Sequence, residues 1–236
     1  MPRRTTTRSA TAPILALALV TAAGCGGGSD DADPDTPPAP APDSTALEGP
    51  PSGAARPDSR TDTISIEGMA EPIELRLFRS PVDFPLPFTA YVPTAMRPEV
   101  EEAGARFVAA FGGTVNTDAF VHLFVFPPGT DRQGAVDAAR AYKTGPGVPV
   151  SQGLEPMAGE TRTPPMDWAI EAYRFEYQSG GDWYGGTIGV GRHGDRFFQI
   201  IRHYPLEYVD GFPPRAGLIL ETWLWAAGSP LGAGPG

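Results

Sequence analysis

Residues 26–60 limit what this chain can fold into, because they carry almost no side chain that packs into a core. They read GGGSDDADPDTPPAPAPDSTALEGPPSGAARPDSR, a run of Gly, Ser, Pro, Ala and Asp with almost no branched or aromatic residue. Such a segment buries too little apolar surface to offset the entropy lost on ordering. We therefore predict a disordered tether over residues 25–60, stiffened locally towards polyproline II, and a single domain over residues 61–236.

The start of the chain reads MPRRTTTRSATAPILALALVTAAGC. Three arginines precede the short apolar run ILALALV, and small residues follow it. This order is typical of a secretory signal, and the apolar run is far shorter than the roughly 20 residues of a membrane-spanning helix. We predict an export signal over residues 1–24, with Ala22, Ala23 and Gly24 as the cleavage region.

Cys25 is the one cysteine of the chain. A lone thiol is open to several uses: nucleophile, intermolecular disulfide, buried packing residue or attachment point. Its position directly after Ala22, Ala23 and Gly24 resembles the lipobox of bacterial lipoproteins, in which leucine is commonest at the place of Ala22. The resemblance implies a diacylglycerol thioether on Cys25 and a membrane-anchored protein of the bacterial cell envelope, on its periplasmic or extracellular face. Two or three acyl chains anchor stably, since each buried methylene contributes about 0.8 kcal/mol.

An ordinary soluble export signal with an incidental cysteine is the alternative to lipidation.

The charge of the chain limits which classes of partner it can bind. The formal net charge is −10, and removing residues 1–25 removes three arginines and no acid, which leaves −13. Nucleic acids and anionic lipid surfaces repel such a chain, so neither is expected as a partner. One cysteine also excludes an internal disulfide framework and a cysteine-based zinc site.

From Thr61 onwards the pattern becomes that of a folded domain. TISIEG and IELRLF alternate apolar and polar side chains and predict half-buried strands. FPLPFTAYVP, with its prolines, predicts an edge strand or a strand end. ARFVAAFGG and DAFVHLFVFPP predict two further strands, the second apolar on both faces and therefore central in its sheet.

The second half of the domain contains both predicted helices. Thr130 and Gln133 have the spacing of a capping box and predict a helix that ends at GPG. Residues 144–166, rich in Gly and Pro, predict a long loop. DWAIEAYRFEY, WYGGTIGVG and FFQIIRHYP then predict an antiparallel meander. PPRAGLILETWLWAA predicts a C-terminal helix.

Together these elements predict an α+β fold, a mostly antiparallel sheet with helices on both faces. Their order, with LPFTAYVP early and FFQIIRHYP and FPPRAGLILETWLW late, resembles the PsbP/Mog1-like α/β/α sandwich over residues 62–226. The resemblance implies a binding or accessory protein. Its members have diverse roles and include photosystem assembly factors, import-factor binders and many bacterial lipoproteins, and a fold alone assigns no activity.

Catalytic and metal-binding motifs such as G-x-S-x-G and H-E-x-x-H are absent from the sequence. His193 lies in a turn before a predicted strand and His203 near its far end, so the two cannot share one site. His122 is expected as a core or sheet-face histidine, although it could meet His203 across the sheet. We therefore expect no catalytic residue, no metal and no cofactor.

Aromatic side chains supply the one functional indication. Trp183 and Tyr184 are neighbours in a predicted strand and face opposite ways. Trp223 and Trp225 lie two positions apart on the predicted helix, about 200° apart in direction, so we expect Trp225 at the surface. Core and rim packing is one explanation for these rings, and the other is a contact surface of Trp183, Tyr184 and Trp225.

These observations predict a lipid-anchored protein with a non-catalytic binding or accessory domain. The expected partners are the membrane, through the N-terminal lipid, and an unknown envelope protein. The alternative is a small-molecule or glycan binder with an aromatic-lined cleft. The choice between inner membrane, outer membrane and cell surface stays open.

Overall fold

The computed structural model describes residues 55–144, 148–149, 154–157 and 166–232. Cys25, the export signal and most of the expected tether lie outside the described residues. The first strand begins at Ser59, close to the domain boundary expected at residue 61. Within the described ranges, no helix has both the length and the apolar character needed to cross a membrane.

Thirteen strands and two α-helices make up the described part of the chain. In chain order they are β1 (Ser59–Ile66), β2 (Met69–Arg79), β3 (Phe88–Pro93), β4 (Met96–Val100), β5 (Gly104–Ala109), β6 (Asn116–Val125), α1 (Arg132–Arg140), β7 (Lys143–Thr144), β8 (Val148–Pro149), β9 (Glu155–Pro156), β10 (Glu171–Ser179), β11 (Asp182–His193), β12 (Arg196–Pro205), α2 (Phe212–Glu221) and β13 (Leu224–Trp225).

The predicted order of strands, helix, meander and helix is confirmed, and the strand pairs of the described part are antiparallel. The strands form a four-stranded sheet, β1-β2-β3-β13, a seven-stranded sheet, β4-β5-β6-β12-β11-β10-β9, and the short pair β7-β8. The sequence pattern predicts one main sheet. Two form because β3 pairs with β2 and β13, whereas β4, which follows it in the chain, pairs with β5. The segment predicted as a loop contains β8 and β9.

Two-residue turns set the register of two hairpins. Glu67 and Gly68 join β1 to β2 with φ of 51° and 79°, and Gly180 and Gly181 join β10 to β11 with φ of 65° and 101°. Positive φ at such positions matches the right-handed twist of the flanking strands. The second turn aligns β10 with β11 over the whole length of β10.

Strand β6 is central in the larger sheet, as its two apolar faces predict. Val121 and Leu123 belong to one core cluster, which also contains residues of α2. Phe120 belongs to a second cluster, which contains Ala135 and Ala139 of α1. Each fully buried large apolar side chain contributes about 1.5–3 kcal/mol, so β6 is stabilised from both of its faces.

Helix α1 begins with a different cap from the predicted box of Thr130 and Gln133. Its N-cap is Asp131, whose Oδ1 accepts a hydrogen bond of 2.7 Å from the backbone N–H of Gly134. The hydroxyl of Thr130 instead donates to the carbonyl of Pro127. A carboxylate accepts a stronger, charge-assisted hydrogen bond than a hydroxyl, which favours Asp131 as the cap.

Helix α2 is shorter than predicted because Thr222 ends it. The hydroxyl of Thr222 donates to the carbonyl of Leu218 at 2.7 Å and accepts from the backbone N–H of Tyr91 at 2.9 Å. The side chain therefore bonds both to the last turn of α2 and to strand β3. The chain leaves the helix at this point and continues into β13.

The predicted surface position of Trp225 is wrong, because both Trp223 and Trp225 lie in the core with exposed fractions of 1% and 2%. Trp223 stacks on Phe88 with ring centroids 3.8 Å apart and an interplanar angle of 8°. Trp225 belongs to β13 and lies opposite Phe88. The expectation assumed that one helix runs through both tryptophans. The chain is instead extended here, and residues two apart in an extended segment point to the same side, so both rings face inward.

The first described residues are tied to the smaller sheet. Arg56 donates from Nη1 to the hydroxyl of Thr89 and from Nη2 to the carbonyl of Thr222, the latter at 2.7 Å. Its guanidinium lies over the ring of Tyr91, 4.6 Å from the centroid. The hydroxyl of Tyr91 donates to the carbonyl of Pro57 at 2.9 Å. The chain is therefore held against β3 before β1 begins.

Candidate functional site

One face of the larger sheet carries an open cavity of about 580 Å³. The cavity lies where β5, β6, β12, β11 and β10 run side by side. Its volume falls within the roughly 300–1,000 Å³ that small-molecule sites occupy. The side chains that matter for its chemistry are Arg106, Phe120, His122, Tyr177, Tyr184 and His203.

The antiparallel register explains why these side chains meet, since residues opposite each other in paired strands point to the same face. Three cross-strand pairs line the cavity: Arg106 with His122, Phe120 with His203, and Tyr177 with Tyr184. Within a strand, positions two apart also share a face. The pairs therefore form one continuous surface over five strands.

Gly186 allows the aromatic side chains of this surface to pack closely. It lies opposite both His203 and Phe175 in the ladder. A Cβ atom at Gly186 would stand 1.9 Å from the carbonyl oxygen of Arg202 and 2.5 Å from the ring of Phe175. Because glycine has no such atom, the rings of Phe175 and His203 approach to 5.9 Å between centroids.

The ring of His203 is the centre of an aromatic wall. It stacks on Phe120 at 5.1 Å and on Tyr184 at 5.4 Å between centroids. Tyr184 stacks in turn on Tyr177 at 5.3 Å, with an interplanar angle of 17°. Such pairs contribute about 0.5–1.5 kcal/mol each beyond their buried area, so the wall is preformed.

Hydrogen bonds hold His203 at both ring nitrogens. Nδ1 lies 2.6 Å from the carbonyl oxygen of Asp118, which only accepts, so Nδ1 carries the proton. Nε2 then accepts the hydroxyl hydrogen of Tyr177 at 2.7 Å. Burial lowers the pKa of His203 and favours the neutral ring. His203 therefore orients the wall and has no free nitrogen for a ligand.

Arg106 and His122 are less completely satisfied. The guanidinium of Arg106 lies over Phe120, 3.9 Å from the ring centroid, and its Nη2 donates to the carbonyl of Thr117. Among the described residues, the buried Nε of Arg106 and the buried Nε2 of His122 have no hydrogen-bond partner. A buried polar group left without a partner costs about 1–3 kcal/mol, so this end of the cavity wall is its least stabilised part.

Glu101 lies near His122 without bonding to it, since its Oε2 is 3.7 Å from Nε2. Burial lowers the pKa of His122, and the negative charge of Glu101 opposes this effect. Burial also raises the pKa of Tyr142, another residue of the cavity wall, to about 12. This phenol therefore stays protonated well above neutral pH.

His122 and His203 line the same cavity. The sequence alone left open whether these two histidines meet across the sheet. Phe120 lies between them, with its centroid 6.5 Å from that of His122. His193 is elsewhere, and its ring stacks on Trp225 at 4.6 Å. In the described ranges, no group of three or more His, Cys, Asp and Glu side chains is placed to hold a metal ion.

The structure separates the three aromatic residues predicted as one contact surface. Trp183 is 50% exposed and lies opposite Gln178, on the other face of the sheet from Tyr184. Tyr184 is half-buried and lines the cavity. Trp225 lies in the core. Sequence reasoning missed Arg106 and Tyr177, because the local pattern of a strand does not reveal its partner across the sheet.

Comparisons with known proteins do not assign a family to the chain. No protein-family model matches it, and no curated protein matches it. The solved structures that are similar in part include the following two. A protein of Bacteroides thetaiotaomicron VPI-5482 shows 12% identity and a TM-score of 0.38 over 63% of this chain and 47% of that one. LpqN of Mycobacterium tuberculosis, involved in cell envelope biogenesis, shows 11% identity and a TM-score of 0.36 over 64% of this chain and 91% of that one.

The chain spans less than half the length of the Bacteroides protein. Neither similarity is close enough to assign a fold family or a function.

Proposed function

We propose that this chain is a lipid-anchored protein of the cell envelope whose domain binds a small, ring-containing polar molecule in the cavity of the larger sheet. The observation that carries the proposal is the cavity itself, about 580 Å³ in volume, with a stacked aromatic wall beside the guanidinium of Arg106. Aromatic surfaces that stack on a ring and a few convergent polar groups are the usual composition of small-molecule sites.

The proposal is for binding without catalysis. His203 is neutral and has both ring nitrogens engaged, by Tyr177 and by the carbonyl of Asp118. It therefore cannot take a proton from a substrate without breaking one of these bonds. The wall that would hold the ligand is fixed in place by stacked rings and by the two hydrogen bonds of His203, which suits selective binding.

The proposal also retains the PsbP/Mog1-like sandwich, with helices on both faces of the sheet. Its support is that α1 and α2 contribute to different core clusters. Strand β6 alternates between these clusters, with Val121 in one and Phe120 in the other.

A protein contact around Trp183 is the second candidate function. Its side chain is 50% exposed on the face of β11 opposite to the cavity. Exposed tryptophans are often binding hot spots in protein–protein interfaces. This contact and a ligand in the cavity would use different faces of the sheet and are compatible.

Filling the cavity should weaken ligand binding. Ser179 lines the cavity, and a Ser179→Trp substitution places a large ring in the space that a ligand would occupy. We expect native mass spectrometry of the full chain, purified in mild detergent, to show a bound small molecule in the wild type. Its occupancy should fall roughly tenfold or more in the variant, which corresponds to about 1.4 kcal/mol.

The matched control is Glu176→Trp, because Glu176 is exposed on the opposite face of the same strand. This variant should keep the occupancy of the wild type. Equal occupancy in the Ser179→Trp protein would contradict the proposed site, as would the absence of any bound molecule from the wild type.

Lipid anchoring is tested by Cys25→Ser. Serine has no thiol for a thioether, so we expect the protein to move almost entirely from the membrane fraction to the soluble fraction. Its circular dichroism should stay unchanged, since residue 25 precedes the folded domain. Ser29→Ala retains Cys25 and should remain in the membrane. A Cys25→Ser protein that stays in carbonate-washed membranes would rule out the thioether as the anchor.

A further inference from the structure

We infer that Arg202 binds an organic carboxylate on the face of the larger sheet opposite to the cavity. This site is separate from the proposed cavity ligand and does not depend on it. Arg202 of β12 lies opposite Thr187 of β11 and Val121 of β6. Because opposite residues in paired strands share a face, its side chain lies on the side of Val121, whereas the next residue, His203, lines the cavity.

Among the described residues, one hydrogen bond holds the guanidinium of Arg202. Its Nε donates to the hydroxyl of Thr187 at 2.9 Å. The terminal nitrogens, Nη1 and Nη2, have no hydrogen-bond partner in this part of the chain and are not enclosed by protein. The side chain is half-buried and keeps exposed surface, so a ligand can reach these two nitrogens.

The free terminal nitrogens distinguish Arg202 from comparable arginines. The other half-buried arginines of the described ranges each donate from a terminal nitrogen to a backbone carbonyl: Arg56, Arg106, Arg196 and Arg215. An arginine nitrogen only donates. A ligand group that bonds to Nη1 and Nη2 of Arg202 must therefore be an acceptor.

The charge of Arg202 favours an anionic acceptor. No carboxylate of the described residues forms an ion pair with it. Desolvation lowers the pKa of Arg202, and the phenol of Tyr204 opposes this effect. Burial raises the pKa of Tyr204, so at neutral pH this phenol is uncharged and supplies no counter-charge. A desolvated charge without a partner is costly, and a bound anion would offset that cost.

The arrangement of donors favours a carboxylate over other anions. Because Nε is bonded to Thr187, the two terminal nitrogens remain as a planar pair, which the two oxygens of one carboxylate match with parallel hydrogen bonds. Arg174, which lies opposite Thr187 in β10, is ion-paired with Glu155 at 2.6 Å. The site therefore offers one uncompensated positive charge, which a monoanion balances and a phosphate dianion would exceed.

The test compares acetate with acetamide, which have nearly the same shape and differ in charge. The full chain in mild detergent is titrated with each probe at constant ionic strength, with chloride as the balancing anion, and the arginine Nε–H resonances are followed by NMR. We expect acetate to shift the Arg202 resonance saturably. It should bind roughly tenfold more tightly than acetamide, because charge-assisted hydrogen bonds are stronger than those of a neutral amide.

Two arginine-to-methionine variants separate anion binding from a structural role. The urea midpoint of the wild type should rise with acetate, since the anion binds the folded state. Arg202→Met removes the unpaired charge and keeps a side chain of similar length, so its midpoint should be higher than that of the wild type and independent of acetate. Arg174→Met removes an exposed, ion-paired guanidinium from the same face. It should change the midpoint little and retain the acetate response.

Three results would overturn the inference. They are equal binding of acetate and acetamide at the Arg202 resonance, an acetate response that survives Arg202→Met, and a urea midpoint of Arg202→Met below that of the wild type. The last result would show that the protein itself satisfies the guanidinium. The comparison of probes on the wild-type protein requires no variant that folds. Occupancy of the cavity, measured with Ser179→Trp, is a separate readout, so the failure of one proposal leaves the other in place.

Discussion

Replacing Trp223 by alanine should destabilise the domain by about 3–5 kcal/mol, the range for removing a large aromatic side chain from a packed core. Trp223 is 1% exposed and stacks on Phe88 with centroids 3.8 Å apart. It also contacts Trp225 edge-on at 5.4 Å. The alanine would leave a cavity between α2 and β3 that neighbouring rings cannot fill. The free energy of unfolding, measured by urea denaturation with circular dichroism, tests this expectation.

Trp183→Ala is the matched control for this substitution. Trp183 is 50% exposed, and surface substitutions usually change stability by no more than about 0.5 kcal/mol. A similar loss of stability in the two variants would show that the two tryptophans do not differ in burial as described.

Gly186→Ala should destabilise the domain by about 3 kcal/mol, at the upper end for overpacking a core. The added Cβ would stand 1.9 Å from the carbonyl oxygen of Arg202. That atom belongs to the backbone of β12 and cannot rotate away, so the β11–β12 ladder must separate locally. Separation would also move His203, which lies opposite Gly186. Urea denaturation gives the loss of stability, and the near-ultraviolet spectrum reports the disturbed aromatic wall.

Gly217→Ala gives a control with the opposite expected sign. A Cβ at Gly217 in helix α2 would have its nearest neighbour, Oε1 of Glu221, at 3.7 Å, which is ordinary contact. Alanine in a helix interior is favoured over glycine by about 0.5–1 kcal/mol. Gly217→Ala should therefore stabilise the domain. Destabilisation of similar size in both glycine variants would contradict the steric argument for Gly186.

Much of the fold follows from local patterns, because strand alternation is a property of neighbouring residues. Ile73 and Leu75 are buried in β2, between exposed neighbours, as the pattern IELRLF predicts. The meander is predictable for the same reason, since Gly180 and Gly181 provide the positive φ that its first turn requires. These elements depend on few contacts with distant parts of the chain.

The features that were predicted incorrectly depend on tertiary contacts. Helix propensity and spacing favour a helix through Trp225, but Thr222 bonds to Tyr91 of β3 and the rings beyond it enter the core. Burial of two tryptophans contributes more than the last helical turn, so tertiary packing overrides propensity here. The division into two sheets likewise depends on which strands pair with β3 and β4.

The candidate site was partly visible in the sequence. Alternation in DAFVHLFVFPP places Phe120 and His122 on one face, as observed. It does not reveal that Arg106 lies opposite His122, or that Tyr177 reaches His203 from a strand two ladders away. Register between strands that are far apart in sequence is set by the whole sheet. This is why the cavity emerged from the structure.

The contacts of Arg56 have a mechanical consequence. β1 is an edge strand whose antiparallel ladder with β2 would open one pair at a time if tension acted on its Ser59 end. Arg56 precedes that end and bonds to Thr89 and Thr222, so a pull from the N-terminal side loads these contacts first. If the chain is anchored through Cys25, as we propose, these contacts would keep the β1–β2 hairpin from opening when solvent flow or a bound partner pulls on the domain.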